Sequence, residues 1–261
     1  MDYSGRGRTV WVTGAANGVG RGVALHLAKQ GWHVGMLDID AENLREAAQE
    51  AEAAGGTVHA VEGDVSSEAD LARAVAAFDE KLGPVYAVIN NAVYSERATV
   101  LDMSATAYRR ALEVGLVGYY IWAQAAARSL VARNVAGCII NMGSGSAERG
   151  MPSTTGYASG KGGILALTRV LALDLAQYGI RVNTVTVGPM LTKFFTGFLE
   201  GDQVGLDARL ARIPLGRFGE IEDVVTLFDY LLSDGALWTT AALFHVDGGA
   251  NNAALVKSVK W

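Results

Sequence analysis

Cysteine, histidine and long apolar runs are scarce in this chain. Cys138 is the only cysteine among 261 residues, which excludes an intrachain disulfide and a metal cluster held by several cysteines. The four histidines show no ligand spacing, so we predict no metal site. No apolar run reaches the roughly 18 residues that span a bilayer, and the N-terminus lacks the layout of a secretory signal. We therefore expect a cytoplasmic protein that does not cross a membrane.

A strong charge of either sign is also missing. The 27 acidic and 22 basic side chains give a formal net charge of −5, and no long block of like charges occurs. A nucleic-acid partner is not expected, because the basic stripe that a phosphate backbone requires is absent. Nothing in the composition divides the chain, so we predict a single domain over residues 1–261.

Short apolar runs separated by helical patterns make up most of the chain. Segments such as 41–54, 68–82 and 164–176 carry apolar residues at helical spacing. This alternation predicts an α/β fold, a doubly wound, Rossmann-type parallel sheet of about seven strands with helices on both faces. Ligands of such sheets bind at the carboxyl ends of the strands. The predicted strands are residues 10–13, 34–37, 58–61, 85–89, 138–142, 182–187 and 243–246.

A glycine-rich turn, TGAANGVG at residues 13–20, follows the first predicted strand and precedes a helix. Glycine permits a positive φ and a close approach of the backbone to a pyrophosphate, and the start of the helix offers free N–H groups. A tight turn packed closely on its sheet would need the same glycines without any ligand. The candidate phosphate contacts are Gly14, Asn17, Gly18, Val19 and Gly20.

Asp38 ends the second predicted strand, twenty-four residues after Gly14. An acid at this position accepts hydrogen bonds from the adenosine ribose and repels a 2′-phosphate, so NAD is favoured over NADP. The next residues, Ile39 and Asp40, bring no basic group to neutralise a phosphate. The alternative is that Asp38 caps the helix that starts near Ala41.

Asp64 and Val65 follow the third predicted strand at the same edge of the sheet. They are candidates for contact with the adenine. The alternative is a capping segment, because Ser66 and Ser67 directly precede a helical pattern and serine is a favoured cap.

Tyr157 and Lys161 lie four residues apart at the start of the helix after the fifth strand, so they share one face. A phenol with a pKa near 10 is a reluctant base, and an ammonium beside it favours the phenolate. Ser144, just after the fifth strand, is placed to hold a substrate oxygen beside Tyr157. The pair alone is uninformative, because many such pairs lie on protein surfaces.

These motifs together resemble the classical short-chain dehydrogenase/reductase family almost from end to end. The matching segments are TGxxxGxG at 13–20, Asp64 with Val65, NNAV at 90–93, Ser144 thirteen residues before Tyr157, YxxxK at 157–161, RVN at 181–183, PLGRFG at 214–219 and VDGG at 246–249. The resemblance implies an NAD(H)-dependent oxidoreductase that interconverts a secondary alcohol and a ketone. It also implies a homo-oligomer, a dimer or a tetramer.

The resemblance further implies roles for individual residues. Tyr157 becomes the general acid/base, Lys161 lowers its pKa and bonds the nicotinamide ribose, and Ser144 orients the reacting oxygen. The complete set of expected cofactor contacts is Gly14, Asn17, Gly18, Val19, Gly20, Asp38, Ile39, Asp64, Val65, Asn91, Ala92, Tyr157, Lys161, Pro189, Met190 and Thr192.

Three positions depart from the family pattern. Val93 replaces the glycine of NNAG, and Val187 replaces a proline before Gly188, which removes a fixed φ and is expected to loosen that turn. Gly115 stands where the family places an Asn that holds a water linked to the active-site Lys. We expect a water or a local kink at this mid-helix glycine.

Residues 188–214 are loosely patterned and are a candidate lid over the substrate. Its apolar members, Leu191, Phe194, Phe195, Phe198 and Leu199, favour a small, largely apolar alcohol or ketone. Docking of a helix onto the core explains them equally well.

The helix over 164–176 is apolar on nearly every side, which predicts a face covered by a partner subunit. Two other functions stay open. One is a cofactor-binding protein with impaired turnover, and the other is dehydratase or epimerase chemistry on the same site.

Overall fold

The computed structural model describes residue 5 and residues 7–192 and 203–252. The strands are β1 Thr9–Thr13, β2 His33–Asp38, β3 Thr57–Glu62, β4 Val85–Asn90, β5 Gly137–Met142, β6 Ile180–Val187 and β7 Leu243–Val246. The helices are α1 Gly18–Lys29, α2 Ala41–Ala53, α3 Glu68–Leu82, α4 Ala105–Leu112, α5 Gly118–Ala132, α6 Ser146–Arg149, α7 Thr155–Leu175, α8 Gln203–Leu210 and α9 Glu222–Leu232. A π-helical turn, Glu113–Val117, joins α4 to α5.

The seven strands form one sheet in the order β3-β2-β1-β4-β5-β6-β7, and every neighbouring pair is parallel. The strand order reverses between β1 and β4. A crevice therefore opens at the carboxyl ends of these two strands, where ligands of doubly wound sheets bind. The predicted Rossmann-type fold is confirmed.

Two apolar layers hold helices against the two faces of the sheet. Successive side chains of β1 point to opposite faces, so Val10 and Val12 pack with α1 and α9 while Trp11 faces the other layer. There Trp11 packs against Phe78 of α3 and Trp122 of α5, with ring centroids 6.2 and 5.9 Å apart. These aromatic contacts fix α3 and α5, and α5 follows directly on the π-helical turn.

One sequence expectation needs correction. Helices on both faces of the predicted sheet imply strands buried on both sides, but β3 lies at the sheet edge, where Thr57 and Glu62 are exposed. As expected from the sequence, Tyr157 and Lys161 lie at the start of the helix after β5, in the first two turns of α7. In the part of the chain that the structure describes, no helix is both long and apolar enough to span a membrane.

Candidate active site

A cavity of about 780 Å³ opens at the carboxyl ends of the strands. Its wall joins the β1–α1 turn, the ends of β2 and β5, and the start of α7. The expected residues that line it are Gly14, Asn17, Gly18, Val19, Asp38, Ile39, Asp64, Val65, Asn91, Ala92, Ser144, Tyr157, Lys161, Pro189, Met190 and Thr192. Only Gly20 of the expected set lies behind the wall. The fold thus brings together residues that are up to 178 positions apart, from Gly14 to Thr192.

Gly14 and Gly20 are required by close packing of the turn. This was the alternative to a ligand role for the glycines of this turn. Gly14 has a φ of +67°, and a Cβ there would lie 2.7 Å from Cα of Ala92. A Cβ on Gly20 would lie 2.0 Å from the carbonyl oxygen of Gly14. Asn91 closes the arrangement, because its side-chain amide donates to the carbonyls of Thr13 and Gly14 at 3.1 and 2.9 Å. These contacts bring the turn and β4 together at the floor of the cavity.

The start of α1 is different, because its geometry fits an anionic ligand. Within the described residues the N-cap residue, Asn17, makes no side-chain capping bond, and the first turn contains no acid. The amide of Asn17 instead donates to Asp40 at 3.2 Å. Gly18 has a φ of +54°, and a Cβ there would face Thr192 at 3.7 Å. Asn17, Gly18 and Val19 at this helix end line the cavity, an arrangement that suits an anion such as pyrophosphate.

Asp38 does not cap α2, so that alternative is wrong. Its carboxylate accepts from the backbone N–H groups of Ala16 at 2.9 Å and Asp40 at 3.0 Å. The cap is Asp40, which accepts from the N–H of Asn43. Asp38 thus lines the cavity with its carboxylate fixed, and Asp40 adds a second negative charge nearby.

Asp64 is fixed by a network that the sequence did not predict. Its carboxylate accepts from Arg110 at 2.7 Å and from both the N–H and the hydroxyl of Ser66. Burial raises the pKa of Asp64, but the bonds from Ser66 and Arg110 outweigh it and the pKa is lowered overall. The cap of α3 is Ser67, which accepts from the N–H of Asp70. Of the two serines named as possible caps, Ser67 caps α3 and Ser66 bonds Asp64.

The hydroxyl groups of Ser144 and Tyr157 are hydrogen-bonded to each other at the wall of the cavity. Ser144 also bonds Ser146, with 2.9 Å between the two hydroxyl oxygens. We expected the Lys161 ammonium to lower the pKa of Tyr157. In this structure burial raises that pKa, and the bond from Ser144 opposes the rise.

Lys161 is directed to a residue that sequence reasoning missed. Its Nζ donates to the hydroxyl of Tyr119 at 2.8 Å and to the carbonyl of Met142 at 2.7 Å. The distance from Nζ to the centre of the Tyr157 ring is 5.8 Å. Lys161 is only 3% exposed, and burial lowers its pKa to about 7. Tyr119 lies one helical turn beyond Gly115, so the departure at Gly115 was the signal that could have found it.

Gly115 lies in the π-helical turn, which interrupts the regular α-helical hydrogen bonding at this position. A Cβ on Gly115 would meet no heavy atom of the described residues within 4 Å. Such turns often occur at functional sites.

The turn at Gly188 is not loosened by the missing proline. A Cβ on Gly188 would lie 2.6 Å from Cα of Asp247, and Gly219 donates its N–H to the carbonyl of Pro189 at 3.0 Å. These contacts hold the residues that lead to Met190. Val93 is 39% exposed and lines the cavity, so a side chain stands in the wall where the family pattern has glycine.

The lid prediction is only partly covered by the structure. Leu191 is 56% exposed, and α8 occupies residues 203–210. Phe194, Phe195, Phe198 and Leu199 lie outside the described residues. The wall also carries Arg149, which lies between Ser144 and Tyr157 in the sequence, and three charged residues that the sequence did not single out, Arg97, Arg209 and Arg212. Among the described residues, no group of three or more His, Cys, Asp and Glu side chains is placed to hold a metal ion.

Comparisons with known proteins place the chain in a family. The model of a family described as enoyl-(acyl carrier protein) reductase matches residues 14–251. The chain is 31% identical over 247 residues to 2-(S)-hydroxypropyl-CoM dehydrogenase 3 of Xanthobacter autotrophicus, covering 94% of this chain and 96% of that protein. It is 36% identical over 246 residues to the L-rhamnose 1-dehydrogenase (NAD(P)(+)) of Azotobacter vinelandii, covering 93% and 96%.

Solved structures agree with these relatives. One of them is a crystal structure of a Sinorhizobium meliloti protein that is provisionally assigned as a short-chain alcohol dehydrogenase. It superposes on this chain with a TM-score of 0.92 at 31% identity, and the match covers 97% of this chain and all of that one. The chain therefore belongs to the classical short-chain dehydrogenase/reductase family of NAD(P)-dependent oxidoreductases.

Proposed function

We propose that the chain interconverts a secondary alcohol and a ketone, with NAD(H) as its preferred cofactor and Tyr157 as the acid/base. The single observation that carries this proposal is the meeting of Ser144, Tyr157 and Lys161 in the cavity that also receives the uncapped end of α1. When bound, the nicotinamide accepts or supplies a hydride at the reacting carbon of the substrate.

Tyr157 and Ser144 handle the reacting oxygen. In ketone reduction, the hydroxyl of Tyr157 gives its proton to the oxygen as the hydride reaches the carbon, and the alcohol forms. In alcohol oxidation the same proton returns to Tyr157. Ser144 holds this oxygen through its own hydroxyl, which already bonds Tyr157. A raised pKa keeps Tyr157 protonated at neutral pH and ready to act as the acid.

Lys161 supports this proton transfer from inside the wall. Its ammonium is buried, so its field at Tyr157 is weakly screened by water. The positive charge stabilises the phenolate that remains after the proton leaves. Because the pKa of Lys161 is about 7, this support changes over the neutral pH range.

Asp38 and Asp40 support the preference for NAD. Both carboxylates are fixed beside the cavity, Asp38 by two backbone N–H groups and Asp40 by Asn43. A 2′-phosphate brought to this end of the cavity meets two like charges, which disfavours NADP. The relative from Azotobacter vinelandii carries NAD(P)(+) in its name, so family membership alone leaves this choice open.

The substrate we propose is a small molecule with an apolar body and, at one end, a polar or anionic group. Val93 and Met151 contribute apolar surface to the described wall. Arg149 and Arg212 contribute positive charge to the same wall. The expectation of a largely apolar substrate came mainly from lid residues that lie outside the described residues, and it stays a prediction. Comparing kcat/KM for ketones of matched size, with and without a carboxylate, separates the effect of the positive charge from that of the apolar surface.

Self-association is part of the proposal. The outer face of α7 leaves Val170 and Leu173 54% and 77% exposed. Two large apolar side chains exposed one turn apart on the same helical face favour burial against a second copy.

Replacement of Tyr157 by Phe tests the proposed chemistry. We expect kcat to fall by about 10² to 10⁴, the usual contribution of a positioned acid/base, while NADH binding measured by fluorescence stays near that of the parent. Tyr178→Phe is the matched control, because Tyr178 is exposed in a short 3-10 turn. Near-normal activity of Tyr157→Phe would show that another group transfers the proton.

The same assays separate the two other functions. NADH binding without turnover of any member of a broad panel of alcohols and ketones indicates a binding protein. Loss of substrate with no net change in NADH absorbance indicates dehydration or epimerisation.

A further inference from the structure

We propose that Tyr119 is a positioning residue for Lys161 and that its hydroxyl takes over the place left by the missing amide at Gly115. The effect that we expect on turnover rests on the proposed function. The placement of Lys161 itself does not depend on the reaction and is measured separately below.

The first observation is the way the Lys161 ammonium is held. An ammonium has three N–H donors. Two of them point to fixed acceptors, the hydroxyl of Tyr119 at 2.8 Å and the carbonyl of Met142 at 2.7 Å. Since Lys161 lines the cavity, the third donor remains for a group inside it. Loss of either acceptor would free Nζ to rotate away from this direction.

The second observation is chemical. The carbonyl of Met142 can only accept, so it cannot bond the lone pair that the Lys161 nitrogen gains when it loses its proton. A phenol hydroxyl can accept from an ammonium and can also donate to an amine. Burial, and then the neighbouring Tyr157, raises the pKa of Tyr119 well above 10, so its hydroxyl stays neutral. Tyr119 therefore keeps its bond to Lys161 in both protonation states of the lysine.

The groups around Nζ of Lys161 make the Tyr119 hydroxyl important for its position. The groups that face Nζ are the Tyr119 hydroxyl from α5, the Met142 carbonyl from β5 and the Tyr157 ring from α7 itself. Within the described parts of the chain, no carboxylate forms an ion pair with Lys161. The lysine is thus balanced by dipoles alone, and the orientation of the Tyr119 hydroxyl matters more than it would beside a counter-ion.

Tyr119 is held rigidly enough to position another group. It is fully buried, and its backbone carbonyl accepts from the amide of Asn90 at 3.2 Å. The preceding residue, Gly118, packs so closely on Val65 that a Cβ would lie 3.0 Å from the Val65 side chain. Lys161 Nζ also lies 4.8 Å from the centre of the Tyr119 ring, within the range of a cation–π contact.

The backbone before Tyr119 explains why a tyrosine is accommodated here. Gly115 lies one helical turn earlier, in the π-helical turn, and has no side chain to approach Lys161. Gly160, the neighbour of Lys161, lies against the backbone of Gly115, and a Cβ on Gly160 would be 3.7 Å from the Gly115 carbonyl oxygen. α7 therefore passes close to the segment that carries Tyr119, with room for a methyl group at both glycines.

Tyr119→Phe tests the proposal, with Tyr120→Phe as the matched control. The control makes the same change at the next residue, where the exposed hydroxyl accepts from Gln124. We expect kcat of Tyr119→Phe to fall about fivefold or more, the effect of losing one hydrogen bond. We expect the pH dependence of kcat to change in this variant and to stay unchanged in Tyr120→Phe.

A second measurement needs no cofactor or substrate. NMR of protein labelled with 13C at the lysine ε position follows the titration of Lys161, assigned by its loss in Lys161→Met. Removal of the acceptor in Tyr119→Phe destabilises the ammonium, so the midpoint moves to lower pH. An unchanged midpoint together with an unchanged kcat would overturn the proposal. A shifted midpoint in an enzyme whose Tyr157→Phe variant stays active would overturn the proposed function and leave the placement of Lys161 intact.

Gly115→Asn provides a variant that does not disturb Tyr119. The position offers room for a side chain. If Tyr119 already holds Lys161, the new amide changes kcat and the pH–rate profile by less than about twofold, because no bond to Lys161 remains to be supplied. A gain of tenfold or more would mean that the natural arrangement is impaired and that Tyr119 does not fill this role.

Discussion

The carboxylate of Asp38 accepts a hydrogen bond of 2.9 Å from the backbone N–H of Ala16. Ala16 belongs to the glycine-rich turn, so the residue proposed to choose the cofactor also braces the loop proposed to hold its phosphates. A change at Asp38 therefore acts on charge and on loop geometry together. The best test variant removes the negative charge of Asp38 and keeps a side-chain oxygen that can accept a hydrogen bond.

Asp38→Asn is expected to change the preference for NAD over NADP by about tenfold in favour of NADP, since one lost charge repulsion is worth about 1.4 kcal/mol. The ratio of kcat/KM for the two cofactors measures the effect. Glu42→Gln removes the same charge from an exposed position on the first turn of α2 and should leave the ratio unchanged. An unaltered ratio in Asp38→Asn would assign the choice of cofactor to other residues.

Gly20→Ala is expected to destabilise the protein by about 3 kcal/mol or more, since its Cβ would lie 2.0 Å from the carbonyl of Gly14 and backbone must move. Gly162→Ala is the matched control. A Cβ there meets no described atom within 4 Å, so alanine should stabilise α7 by about 0.5 to 1 kcal/mol. Urea unfolding compares the two variants. Equal stabilities would show that the turn relaxes without cost.

Asp64→Asn is expected to destabilise the protein by about 1 kcal/mol at pH 7, because the partly exposed bond to Arg110 is weakened. The pKa of Asp64 is lowered in the folded state, so its contribution is complete above the ordinary carboxyl pKa near 4 and is lost as the pH falls below that value. The difference between parent and variant should therefore shrink in acid. Unfolding curves at pH 7 and pH 3 test this, and a constant difference would contradict the assignment.

Leu173→Glu is expected to reduce the molar mass measured by light scattering after size exclusion, because a charge enters the exposed apolar face of α7. Leu101→Glu is the control, since Leu101 is even more exposed and lies in the loop before α4. A parent protein that elutes as a monomer at micromolar concentration would contradict self-association through this face.

Local pattern was enough to predict the strands and the turns of this protein. All seven predicted strands are present, because short apolar runs between helical segments bury their side chains and pair their backbone groups in a sheet. The burial of β3 could not be predicted in the same way. Whether a strand lies at an edge depends on the strand order, and that order is decided by packing of the whole sheet.

The site shows the same division. The spacing of Tyr157 and Lys161 predicted a shared helical face, and the structure places both in the cavity wall. The spacing could not show where Nζ points, because a lysine side chain has four rotatable bonds and turns toward whichever acceptor is near. Here that acceptor is on α5, forty-two residues away along the chain.

The sequence by itself determined the fold class, the family and the residue types available for chemistry, because each follows from local pattern and from motifs in order. Only the tertiary structure decided that Gly20 serves packing, that Asp40 rather than Asp38 caps α2, and that Tyr119 holds Lys161. These outcomes depend on distances between segments remote in sequence. Such distances are set by how helices and sheet pack, and no local pattern contains them.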